Sequence, residues 1–212
     1  MIDLYLIHGL SAPRWVMRPL GRMLEKYGYK THLLHYPSRR MNASQAADYV
    51  WKHLASRINP KQPIAIISHS MGGLVMQHLL ARYQPQGIHS LIMIAPPNHG
   101  VELVSRFEKS FLTKWILYVV GALPNHTFSH QSKPLAPNIG QQYTCHLING
   151  KTNKTISGKF IPGDNDGIVS IQSTRIAHLA SETTLPYEHL VLILRQKTAN
   201  AIIQCIQSSG KQ

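Results

Sequence analysis

The sequence predicts an α/β fold: a doubly wound, mainly parallel sheet flanked by helices, with a small lid-like insertion near residues 101–142. Short apolar runs alternate along the chain with stretches whose apolar residues recur at helical spacing, the pattern of strands connected through helices. No hairpin signal joins consecutive runs, so successive strands are expected to be parallel and the helices to cross over between them. The runs at 4–7 and 64–67 are apolar throughout, as strands covered on both faces are.

Residues 4–7 form the first strand, ending at His8-Gly9-Leu10. Pro13 then opens a helix, because proline's fixed φ suits a first helical turn. Val16, Leu20, Met23, Leu24 and Tyr27 carry its apolar face, and Gly28 closes it. Residues 31–36 read as a strand stopped by Pro37. Asn42 is expected to cap a second helix that buries Ala46, Ala47, Val50, Leu54 and Ile58 and ends at Asn59-Pro60. A strand at 64–67, a helix breaking near Pro85-Gln86-Gly87, and a strand at 88–95 stopped by Pro96-Pro97 follow. Residues 101–142 interrupt the alternation, first with an aromatic-rich helical stretch over 101–123 and then with a loop up to Gly140. The rhythm resumes with a strand at 143–148, a polar turn, an apolar segment at Phe160-Ile161-Pro162 and a helical face at 176–179. A short strand at 183–186 and a closing helix over 190–206 complete one expected domain spanning 1–212.

Composition narrows the function. With 43% hydrophobic and only 15% charged residues, the 212-residue chain is expected to be globular rather than disordered. Lys and Arg number 22 against 9 Asp and Glu, a net charge of +13 that predicts weak association with an anionic membrane surface. No Lys/Arg block or RNA-binding motif concentrates the charge, so nucleic acid is not expected as a partner. Cys145 and Cys205 match neither a disulfide scaffold nor a zinc site and are expected to be buried free thiols. The N-terminus runs straight into a strand without a basic leader, and no long apolar run exists, so a cytoplasmic protein without a transmembrane helix is expected.

The chemistry centres on Ser68-His69-Ser70-Met71-Gly72-Gly73, which follows the 64–67 strand and precedes a helix. Small residues around Ser70 suit a sharp turn that lifts its hydroxyl off the end of the sheet, as in a nucleophile elbow, with Ser68 in place of the first glycine. A serine hydroxyl is a poor nucleophile until a base takes its proton, and a carboxylate must hold that base in the right tautomer. The elbow is followed in chain order by the acid and then the histidine. Downstream of Ser70 the acids are Glu102 and Glu108 in the insertion, Asp164, Asp166, Glu182 and Glu188. Asp164 and Asp166 share the loop 162–170, after an apolar segment, where the C-terminal edge of a sheet holds functional groups. Past them only His178 and His189 remain. His178 falls on the expected helical face, whereas His189 follows the last strand and is the candidate base. His69 is set aside because its side chain, next to the tip, is expected to point elsewhere. Oxyanion donors are expected from the backbone amides of Met71 and of Leu10, beside Gly9.

Together, His8-Gly9-Leu10, the Ser70 elbow, Ala95-Pro96-Pro97-Asn98-His99-Gly100 and the segment from Pro162 to Ser170 resemble a bacterial lipase/esterase of the α/β-hydrolase fold, within a group of small serine hydrolases of about this length. The resemblance spans nearly the whole chain. It implies Ser70 as nucleophile, His189 as base after Leu185-Pro186, and Asp166, within Asn165-Asp166-Gly167, as the orienting acid in preference to Asp164. It implies carboxylic ester cleavage on a small-molecule or lipid ester, with no metal or organic cofactor. Acyl transfer or thioester cleavage would use the same triad, and a non-catalytic, basic membrane-surface-binding protein on the same scaffold is the reading from another class. The sequence carries no signal for oligomeric state.

Overall fold

The computed structural model describes residues 2–102, 138–152 and 154–210. Six parallel strands, β1 (Asp3–Ile7), β2 (Lys30–Leu34), β3 (Ile64–His69), β4 (Ile88–Ile94), β5 (Cys145–Gly150) and β6 (Ser181–Leu185), form one sheet in the order β2-β1-β3-β4-β5-β6. The order reverses beside β1, so helices lie on both faces. Side chains alternate across a strand, and β1 shows the division. Tyr5 and Ile7 join the core beneath α2 (Ala43–Leu54) and α3 (Met71–Tyr83), whereas Leu4 and Leu6 pack beneath α1 (Arg18–Glu25) and α4 (Gln196–Ser209).

Local sequence explains the helix boundaries. Pro13 precedes a 3-10 turn, Arg14–Met17, that runs into α1, and Gly28 ends that unit at φ 86°. Asn42 caps α2 in a reciprocal box: its side chain accepts from the Gln45 amide at 2.9 Å, and the Gln45 side chain accepts from the Asn42 amide at 3.1 Å. Cys145 and Cys205 are buried free thiols, and burial pushes the Cys145 thiol up to about 12.

Several expectations are corrected. The second strand stops at Leu34, and Tyr36 leaves the sheet to bury its ring, donating its hydroxyl to the His8 carbonyl at 3.0 Å. The apolar 160–162 segment belongs to no strand. It follows a 3-10 turn, Ser157–Phe160, in the long β5–β6 connection, whose bends the Asn165 amide ties down by donating to the carbonyls of Gly158 and Gly163. Residues 176–179 are not helical: the helical turn is Ile171–Thr174, and His178 is exposed at φ 57°. The closing helix begins only at Gln196, because Arg195 is extended after the 3-10 turn Leu192–Leu194. The lid-like segment expected over 101–123 lies, from residue 103 on, outside the described residues, as does the following loop as far as residue 137. Among the described residues no helix is long and apolar enough to cross a membrane.

Two internal histidines, His146 and His69, make the fold sensitive to acid. His146 on β5 is buried, with its ring nitrogens 2.8 Å from the hydroxyls of Ser181 on β6 and Ser209 at the end of α4. Burial, and then the nearby His89, lower its pKa to about 4. Burial, then the charge of His189, likewise lower that of His69 to about 3. In the unfolded chain both titrate near the ordinary value of about 6.5. As pH falls the unfolded state therefore takes up protons first, so their contribution is intact above that value and is lost toward pH 4. The thermal midpoint is expected to drop by on the order of 10 °C between pH 7 and pH 4.5. Circular dichroism melts across that range measure it, and a midpoint independent of pH would contradict it.

Candidate active site

β3 ends at His69 and α3 starts at Met71, leaving Ser70 alone to turn the chain. It does so at φ 53°, ψ −127°, a region that residues with a Cβ rarely occupy. Hydrogen bonds on both sides hold it there: the Ser70 amide donates to the Ile94 carbonyl at 2.9 Å, and the Gly73 amide donates to the Ser70 carbonyl at 2.8 Å. The two glycines that follow are required by close approach. A Cβ on Gly72 would sit 2.7 Å from the His8 carbonyl oxygen, and one on Gly73 would sit 2.8 Å from Pro96 Cβ. The start of α3 thus seats directly against the end of β1 and the turn after β4. Ser68 fills the place of the elbow's first glycine while fully buried, and its hydroxyl donates to the Ile92 carbonyl at 3.4 Å.

The loop after β1 lies against the same turn. A Cβ on Gly9 would be 3.0 Å from Ser70 Cβ, so the backbone of His8-Gly9-Leu10 passes beside the serine. Met71, as the first residue of α3, carries an amide with no intrahelical acceptor, at the positive end of the helix dipole. His8 is buried, its ring stacked on Tyr36 with centroids 4.6 Å apart. That contact fixes the loop from behind.

Asp166 and His189 meet across the ends of β5 and β6. Asp166 is 2% exposed and His189 4%. One carboxylate oxygen of Asp166, Oδ1, accepts from the amides of Ile168 (3.0 Å) and Val169 (2.8 Å). The other, Oδ2, lies 2.6 Å from His189 Nδ1. The His189 amide also donates to the Asp166 carbonyl at 3.0 Å, so backbone and side chain join the same two residues. Because the carboxylate accepts, Nδ1 carries the proton, and Nε2 keeps a lone pair for a donor. Gly150, at the end of β5, makes room for this pair: a Cβ there would lie 2.5 Å from the Tyr187 carbonyl oxygen and 2.7 Å from Asp166 Cβ.

Asp164 points to a different environment. Its carboxylate is exposed and paired with the Lys151 ammonium at 2.8 Å. His178 is exposed and contacts the Gln141 side-chain amide at 3.0 Å. Neither joins the buried pair.

His69 was expected to point away from the site, and it does not. It is buried, its ring tilted over that of His189 with centroids 4.8 Å apart, and its Nε2 lies 3.1 Å from the His189 carbonyl oxygen. A carbonyl only accepts, so Nε2 carries the His69 proton and donates it. His69 thereby ties the residue before Ser70 to the backbone of His189. Burial keeps it neutral, so it adds no positive charge beside the His189 ring. No local signal marks this role, because its partner lies 120 residues away in sequence. Among the described residues no three His, Cys, Asp or Glu side chains are grouped to hold a metal ion.

A family model for the alpha/beta hydrolase fold matches residues 4–162. No curated protein matches the chain in sequence. Among solved structures, the mature form of the Bacillus licheniformis lipase BlEst2 superposes with a TM-score of 0.73 at 16% identity, over 97% of this chain and 91% of that one. The metagenomic carboxyl esterase MGS0156 gives a TM-score of 0.72 at 15% identity, over 98% of this chain and 76% of that one. Phospholipase PlaB from Legionella pneumophila gives 0.66 at 16% identity, over 98% of this chain but only 60% of that one. At these identities the likeness is one of fold.

Proposed function

We propose that this chain, which belongs to the alpha/beta hydrolase fold family, is a serine hydrolase that cleaves carboxylic esters through an acyl-enzyme on Ser70. The observation that carries the reading is the buried contact of 2.6 Å between His189 Nδ1 and Asp166 Oδ2, tied through the His69 ring to a serine held in a strained turn between strand and helix. Solved structures named as a lipase and a carboxyl esterase share the fold and support the choice of esters.

In the proposed reaction His189 Nε2 takes the Ser70 proton as Oγ bonds to the ester carbonyl carbon. The carbonyl electron pair moves to oxygen, and the amides of Leu10 and Met71 stabilise the oxyanion. Asp166 holds Nδ1–H and balances the imidazolium. The pair on oxygen then returns, the C–O bond breaks, and His189 protonates the departing alcohol. Water repeats the sequence on the acyl-enzyme, with His189 again taking a proton, and releases the acid with Ser70 restored.

A fluorophosphonate probe is expected to label the protein stoichiometrically, with peptide mapping locating the adduct on Ser70. An unlabelled protein, or a label on another residue, would refute the assignment. A panel of soluble esters of increasing acyl length then identifies the preferred substrate.

A further inference from the structure

The exposed large hydrophobic side chains among the described residues fall in three places: Trp15 and Tyr27 on the β1–β2 connection, Ile156, Phe160 and Ile168 on the β5–β6 connection, and Leu190 and Leu194 after β6. The β5–β6 connection is the most pronounced case. Ser157 Oγ donates to the Gly167 carbonyl at 2.6 Å, clasping the two sides of this loop together. Ile156 and Ile168 flank that clasp, 77% and 39% exposed. Beside them a cleft of about 650 Å³ is lined by Lys151, Lys154 and Lys159, with the hydroxyls of Thr152 and Thr184. The one carboxylate among its lining residues, Asp164, is already paired with Lys151. Exposed apolar side chains next to an excess of ammonium groups suit a lipid–water interface, where the former enter the acyl boundary and the latter meet anionic headgroups.

We infer that the β5–β6 connection docks the protein on an anionic phospholipid surface, with Ile156 and Ile168 entering the interface and Lys154 and Lys159 meeting the headgroups. The charge of +13 over the whole chain draws the protein toward such a surface, and this loop determines which side lands. The loop also carries Asp166, whose Oδ1 accepts from the Ile168 amide, so the docked face is the face that holds the site. Docking does not require turnover.

Co-sedimentation with vesicles of phosphatidylcholine, alone or with about a third phosphatidylglycerol, tests the inference. The wild-type protein is expected to sediment with the anionic vesicles and to be released by high salt. Lys154→Gln/Lys159→Gln is expected to weaken partitioning about 25-fold, fivefold per lysine, and Ile156→Ser about tenfold. Lys26→Gln/Lys61→Gln removes the same charge from the opposite edge of the sheet and is expected to cost less than about threefold. An equal loss in the two lysine pairs, equal binding to neutral vesicles, or no binding would overturn the docking surface. Ser70→Ala is expected to bind as wild type does. A protein that binds vesicles without cleaving esters therefore contradicts only the catalytic reading, and one that cleaves soluble esters without binding contradicts only the docking.

Discussion

Ser70→Ala is expected to lower kcat for ester cleavage by about 10⁵- to 10⁶-fold, the scale seen when a triad nucleophile is removed. The fold should survive. Alanine keeps the Cβ that already tolerates φ 53°, and the bonds that hold the turn, Ser70 N–H to Ile94 and Gly73 N–H to Ser70, are made by backbone. Gly72 and Gly73, which admit the start of α3 to its seat, are untouched. The thermal midpoint is therefore expected to stay within about 2 °C of wild type, consistent with a change that opens no core cavity. Residual turnover above that of water would come from the amides proposed for the oxyanion and from substrate binding. Steady-state kinetics on a soluble ester, alongside thermal melts, provide the measurement. Substantial turnover retained by a folded variant would mean that another group attacks the ester.

The parts of the site legible in the sequence are those whose causes are local. Ser70 is marked by its neighbours because a one-residue turn between a buried strand and a helix admits only small side chains, and Ser68, Gly72 and Gly73 supply them. The scarcity of carboxylates, 9 in the chain, left few residues to pair with a histidine. Asn42 and Gly28 revealed their helix boundaries for the same local reason. The parts that were missed depend on distant partners. His69 is set aside in the sequence only for standing next to the tip, and nothing near it announces the His189 carbonyl it meets. Gly150 ends an ordinary strand, yet it has no room for a side chain because Tyr187 and Asp166 close over it; a glycine ending an otherwise bulky run was the available signal. The 160–162 segment reads in the sequence only as an apolar stretch before the loop that holds Asp164 and Asp166. Its course is instead set by Asn165 binding carbonyls on both sides of it.

Asp166→Asn is expected to lower kcat by about 10⁴-fold, whereas Asp164→Asn should change it by less than about threefold. The asymmetry follows from the hydrogen bonds each carboxylate makes. At position 166 the amides of Ile168 and Val169 both donate to Oδ1, so an asparagine must keep its carbonyl oxygen there and turn its NH₂ toward His189. An NH₂ group only donates, which obliges Nδ1 to accept and moves the imidazole proton to Nε2. In that tautomer His189 has no lone pair for the Ser70 proton, although every heavy atom stays where it was. Asp164→Asn gives up only an exposed ion pair with Lys151, and such pairs contribute no more than about 1 kcal/mol to stability. Burst kinetics separate the two outcomes further, since Asp166→Asn should slow acylation and deacylation alike while leaving KM nearly unchanged. A larger loss in Asp164→Asn than in Asp166→Asn would transfer the orienting role to the other aspartate and leave the buried contact with His189 structural.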